Sequence, residues 1–134
     1  MRTLLAFWVA LLCSYSASAS SDLLRCSAID SVAMTSDGRI TSEGGTSNFG
    51  RWAYGEFIID LSTGAFRRSG GEAALWIMMQ RGDGANDWVF APTQFAANAG
   101  LETLRIRAWT TEDAVTFIAH MMDAMITGKC APVT

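Results

Sequence analysis

The segment TEDAVTFIAHMMDAMITG, residues 111–128, decides between two folds. Ala114, Phe117, Ile118, Met121, Met122 and Met125 recur at the three- and four-residue spacing of one helix face. Thr111 suits the cap, Glu112 and Asp113 the first turn, and Gly128 the position just past the end. A helix over about 111–127 would make the chain α+β. The same residues include Val115-Thr116-Phe117-Ile118, a β-branched and aromatic run that follows a polar turn, TTED. Read that way, the segment is a strand and the chain is all-β. Local spacing by itself favours the helix, so the decision rests on what surrounds it.

The surroundings are short apolar runs punctuated by Gly and turn residues, the pattern of an antiparallel meander. Leu104 to Trp109 alternates, with Leu104, Ile106 and Ala108 expected inward and Arg105, Arg107 and Trp109 outward. Trp88 to Ala91 is a strand preceded by the loop GDGAND, and Pro92 to Gly100 is an Ala/Asn-rich connection. Ala73 to Arg81, AALWIMMQR, is almost wholly apolar and bounded by Gly71 and Gly82, which favours a strand over a helix. Trp52 to Asp60 gives a strand, carried by Glu56-Phe57-Ile58-Ile59-Asp60, and DLSTGAFR turns back through Gly64 in the left-handed conformation to a partner ending at Arg68. Ser69-Gly70-Gly71 turns again. Residues 42–51, SEGGTSNFGR, are polar and Gly-rich and read as a mobile loop. Residues 26–34 alternate loosely, with Cys26, Ala28, Val32 and Met34 on one face, and Asp37-Gly38 offers a tight turn into a short return at Arg39 to Thr41.

The order FIIDLSTG…FR, W…QRG…NDWVF, LRIRAW and ITGKC resembles small exported bacterial β-rich proteins with a closing Gly-x-Cys. The resemblance spans most of residues 26–130. It implies that the closing Gly-x-Cys ends a strand, and it carries no activity and no site residue. It tips residues 111–128 to strand. The expected fold is therefore all-β, a small antiparallel meander of six to eight strands closing into a barrel or sandwich. The α+β fold with a C-terminal helix at about 111–127 is the alternative.

The first 19 residues read as an export signal. Arg2 supplies the positive start, Leu4 to Leu12 an unbroken apolar run, and Ala17-Ser18-Ala19 the small-residue cleavage pattern. A nine-residue helix is about 14 Å long, half a bilayer core, so this run is too short to span. Residues 20–134 are then one domain, periplasmic or extracellular, with no later stretch apolar enough to cross a membrane as a helix. Cys13 departs with the signal and leaves Cys26 and Cys130. Two cysteines in a small exported domain read as one disulfide, which requires the two ends of the domain to meet within about 7 Å at Cα.

Composition narrows the function. Removing Arg2 leaves nine basic against thirteen acidic residues, a balance that argues against a nucleic-acid partner. Candidate chemistry is sparse. His120, the single histidine, could act as a base oriented by Asp123 if the segment were helical, which would make a small hydrolase. Asp83, Asn86 and Asp87 cluster hard oxygen donors without a full calcium-loop spacing, and they suit turn capping better. Glu56 and Asp60 on one strand would stand about 13 Å apart, too far for a glycosidase pair. Met78, Met79, Met121 and Met122 could line a cavity for an apolar ligand. Arg105, Arg107 and Trp109 offer a binding face suited to carboxylate-rich or sugar partners. These signals point to a non-catalytic exported binding domain whose partner is a protein or envelope component, with no cofactor or metal expected. An inhibitor of a secreted hydrolase, inserting loop 42–51, is the nearest alternative.

Overall fold

The structure, a computed structural model, describes residues 22–83, 86–93, 102–108 and 115–134. The segment read as an export signal, residues 94–100 of the 92–100 connection, and residues 109–114 with Trp109 lie outside the described residues. The elements in chain order are β1 (Leu23–Met34), β2 (Ile40–Thr41), α1 (Gly45–Tyr54), β3 (Glu56–Asp60), β4 (Ala65–Arg68), β5 (Ala73–Arg81), β6 (Asp87–Pro92), β7 (Glu102–Arg107), β8 (Val115–Met121) and β9 (Ala124–Pro132).

Every strand pairing is antiparallel, and β1 pairs with both β3 and β9, so β1 and β3 to β9 form a closed eight-stranded barrel. The short β2 pairs with the far end of β1 as an extra strand. Closure removes the open edges that a meander of this length would otherwise expose. Cys26 lies directly opposite Cys130 in the β1–β9 ladder, and the two are joined by a disulfide with Cα atoms 3.9 Å apart. The predicted staple thus sits inside the seam that closes the barrel.

The ambiguous segment is strand. Phe117, Ala119 and Met121 of β8 are buried, and so are Ala124, Ile126, Gly128 and Cys130 of β9. Burial on alternate residues is the two-residue period of a strand. β8 pairs along its whole length with β7 and β9, so the α+β alternative with a helix at 111–127 is not what forms. The helical spacing of Ala114 to Met125 is a coincidence of two strands joined through Met122 and Asp123. Gly128, read as a helix stop, lies within β9, where a β-carbon would collide with the Ser27 carbonyl and the Phe117 ring. It marks close approach of β1 and β9 rather than an end. Gly64 does adopt the expected left-handed conformation, φ 74°, in the β3–β4 turn.

The lumen is filled by aromatic side chains. Phe57 packs on Phe117 at 4.9 Å and on Phe66 at 5.1 Å, and Phe66 on Trp76 at 4.7 Å between ring centroids. Ile59, Phe90, Leu104, Ile106 and Ile126 complete the core, each fully buried. Each such side chain contributes roughly 1.5–3 kcal/mol relative to exposure. An eight-stranded barrel has about the width its own side chains can fill.

Three expectations are corrected. Cys26, Ala28, Val32 and Met34 do not share one face, because the irregularity between Ala28 and Asp30 switches the buried side of β1 to Ser31 and Ala33 and leaves Met34 exposed. Residues 42–51 are not a loop, because Gly45 to Arg51 belong to α1, which crosses one end of the barrel. Its buried residues are Ser47, Gly50, Ala53 and Tyr54, small apart from the last. Gly50 lets the helix settle against Ala124 and Ile126, whose side-chain atoms a β-carbon would meet at 3.0–3.3 Å. Helix propensity is poor here, so tertiary packing makes the helix. Ala108, expected inward, is exposed just past the end of β7.

Candidate binding surface

Arg105 and Arg107 alternate outward from β7 as expected, but Arg105 is already engaged. Its Nε and one terminal nitrogen reach the two carboxylate oxygens of Asp87 on β6, at 2.9 and 2.5 Å. The hydrogen bonds and charge of Asp87 push the Arg105 guanidinium further up. Arg107 is partly buried opposite Asp87 in the β6–β7 register, and Trp109 lies outside the described residues. The fork that would have received a partner's carboxylate is therefore used within the sheet. The Asp87 carboxylate is likewise committed to Arg105, and the loop is closed by a backbone bond, Gly82 N–H donating to the Asp87 carbonyl at 2.6 Å. Among the described residues no cluster of three His, Cys, Asp or Glu side chains is placed to hold a metal ion.

His120 is exposed on β8, with Nδ1 3.4 Å from Thr103 Oγ1. Asp123 sits in the β8–β9 turn, so the helical i, i+3 geometry that would orient the ring is not formed. Asp60 accepts from the hydroxyl and N–H of Ser62 and from Thr63 N–H, and these bonds, the Ser62 hydroxyl first, hold its carboxyl below the usual range. It caps the β3–β4 turn. The four methionines do not converge: Met121 is buried, Met78 half-buried, and Met79 and Met122 exposed.

The sequence reading missed two arrangements. The first lies inside the capped end. Tyr54, at the end of α1, donates to Glu102 Oε1 at 2.6 Å, and Arg68 donates to the same oxygen at 2.9 Å. The Arg68 guanidinium lies 5.4 Å from the Tyr54 ring centroid and 5.7 Å from that of Phe66. Burial, reinforced by the Glu102 charge, raises the Tyr54 phenol well above its ordinary range. The three side chains tie α1 to β4 and β7. No local signal pairs residues 54 and 102.

The second arrangement is the outer face of that end. Phe49 and Trp52 lie on the solvent side of α1, 46% and 73% exposed, stacked on one another at 5.5 Å between centroids. Met34 and Ile40 of the β1–β2 hairpin and Met122 of the β8–β9 turn are also exposed. The two hairpins meet there, with Met34 N–H donating to the Asp123 carbonyl at 3.0 Å. The helix is inverted relative to an ordinary surface helix up to its last residue: small Ser47, Gly50 and Ala53 face in and Phe49 and Trp52 face out, with only Tyr54 at its end turned inward. The i, i+3, i+6 spacing of Ser47, Gly50 and Ala53 was its signal. The chain matches no family model, no curated protein and no solved structure.

Proposed function

We propose that this chain is a non-catalytic binding domain, exported to the periplasm or cell exterior, that docks an envelope-associated protein through the α1 end of its barrel. The supporting observation is the Phe49–Trp52 stack, held toward solvent by a helix whose packing face is built from small residues. Exposed tryptophan backed by a rigid scaffold is the kind of anchor that dominates protein interfaces. Exposed apolar surface such as this aromatic pair costs solubility and marks interaction sites. Asp37, Arg39, Glu43 and Asp123 stand among the apolar residues of this end. Apolar anchors inside a polar rim suit a protein cleft.

The export reading rests on the residues 1–19 pattern and agrees with the disulfide, since such bridges persist in oxidising compartments. Among the described residues no helix is long and apolar enough to cross a membrane. The test is capture from envelope extract with the wild-type protein, the double variant Phe49→Ala/Trp52→Ala, and Leu75→Ala, which removes an exposed apolar side chain from β5. A specific partner should be lost at least about tenfold by the double variant and kept by Leu75→Ala. Equal capture by all three overturns the reading, and so does flotation of the wild type with neutral lipid vesicles in place of a protein partner.

A further inference from the structure

From the arginines left unpaired on the barrel wall we infer a second site, a shallow trough outside β9, β1, β3 and β4 that binds an elongated phosphate-bearing polyanion. The register lays out its residues. In one row Ala131, Arg25, Ile58, Arg67 and Ala73 follow one another across adjacent strands. In the next row Lys129, Ser27 and Glu56 do the same. Arg25, Arg67, Lys129 and Glu56 are exposed, and Ile58 is half-buried between the two arginines. Two strand spacings separate Arg25 from Arg67, about 9.5 Å at Cα. Lys129 is the diagonal neighbour of Arg25, about 7–8 Å away.

A hollow of about 470 Å³ lies over this face, lined by Arg25, Glu56, Ile58, Arg67 and the Ser69–Gly71 turn. Arg25 also lines a second hollow of about 570 Å³ that runs past Ser27 and Lys129 toward Pro132. The two share Arg25 and make one trough. Arg39 pairs with Asp37, Arg68 with Glu102 and Arg105 with Asp87, whereas none of the trough's three cations has an acidic partner among the described residues. Glu56 is the sole carboxylate side chain lining the first hollow. Arg105, by contrast, is on β7, across the barrel from β3, and is neutralised by Asp87.

Three cations spaced 7–10 Å apart along a trough suit a ligand whose negative groups recur along its length, in preference to a single small anion. Guanidinium groups meet phosphate bidentately, which favours arginine for this task. No exposed aromatic ring lines the first hollow, so nucleobases would have nothing to stack on. All four strands here are paired on both sides, so a peptide cannot add as a further strand. This site goes beyond the proposed protein docking and does not depend on it, because it involves neither α1 nor the hairpins beside it.

The experiment titrates the purified protein with inorganic polyphosphate at low salt and repeats the titration at rising salt. Binding should weaken as salt rises, and Arg25→Ala and Arg67→Ala should each reduce affinity about three- to tenfold. Glu56→Gln, which removes the opposing charge, should tighten it. Arg105→Ala alters the net charge by the same amount on the opposite wall and should leave affinity unchanged. All four residues are at least partly exposed, and thermal melts verify that the variants fold. Absence of polyphosphate binding at low salt overturns the inference. An equal loss with Arg105→Ala also overturns it, because net charge alone would then be responsible. A single-stranded oligonucleotide that outcompetes polyphosphate of matched length would overturn the ligand class.

Discussion

At Tyr54 one phenol reports on the whole capped end. It donates to Glu102, which also receives Arg68, and burial followed by the Glu102 charge raises its pKa above the ordinary 10.0. A group whose folded pKa is raised contributes stability in full below its unfolded pKa and loses it as pH rises toward the folded value. Stability should therefore fall above about pH 10, and Tyr54→Phe should flatten that alkaline limb. At neutral pH the same substitution should cost about 1–2 kcal/mol, because Glu102 keeps Arg68 and some solvent. Denaturant titrations at several pH values check both. Tyr15 is the one other tyrosine, so tyrosinate absorbance of residues 20–134 follows Tyr54 alone. Gly128 supplies a second residue-level expectation. Gly128→Ala would press a methyl into the Ser27 carbonyl and the Phe117 ring, at a cost of about 1–3 kcal/mol in unfolding free energy. Neither residue's role was legible beforehand. Tyr54 acts through partners distant in sequence, and a glycine that ends a helix looks, by itself, like one that admits a neighbouring strand.

Among the elements, those with local causes were legible and α1 was not. The β3–β4 turn follows from Asp60 and Gly64, and the inward side chains of β7 follow from simple alternation. α1 has no acidic residue in its first turn and no side-chain cap, and Gly44 precedes it. What holds it is tertiary. Ser47 Oγ donates to the Ser31 carbonyl at 2.9 Å, and Ser31 Oγ donates to the Ser47 carbonyl at 2.9 Å. Ser47 Oγ also lies 3.0 Å from the Ser42 carbonyl. Both serines are buried, so Ser47→Ala leaves acceptors without their donor. The expected loss is about 1–2 kcal/mol, concentrated in the helix. Amide exchange should accelerate across residues 45–54 while β7 and β8 keep their protection. A uniform acceleration through all strands would show instead that α1 and the barrel unfold as one unit.

For the whole molecule the closing seam carries the argument. Two cysteines near the ends of a chain read as exported were enough to foresee that first and last strands meet, and in the barrel they are partners in register. The choice of a closed barrel over a sandwich was not legible, because closure depends on β1 pairing on both sides, a long-range fact that no local pattern encodes. The seam holds without the sulfurs: β1 and β9 pair from Leu24–Pro132 to Ala33–Ala124, through an irregularity between Ala28 and Asp30. The disulfide therefore acts mainly on the unfolded chain, where it closes a loop with a sequence separation of 104. The chain-entropy estimate for such a loop is about 4.7 kcal/mol. Cys26→Ala/Cys130→Ala should lower stability by an amount approaching that figure while leaving the barrel intact. The two components separate in denaturant unfolding, where the midpoint reports stability and the slope reports surface exposed. A lower midpoint with a slope no smaller than that of the bridged protein fits a seam held by its ladder. A clearly smaller slope would mean that the ring has opened in the folded state, and that the bridge, rather than the β1–β9 pairing, keeps the barrel closed.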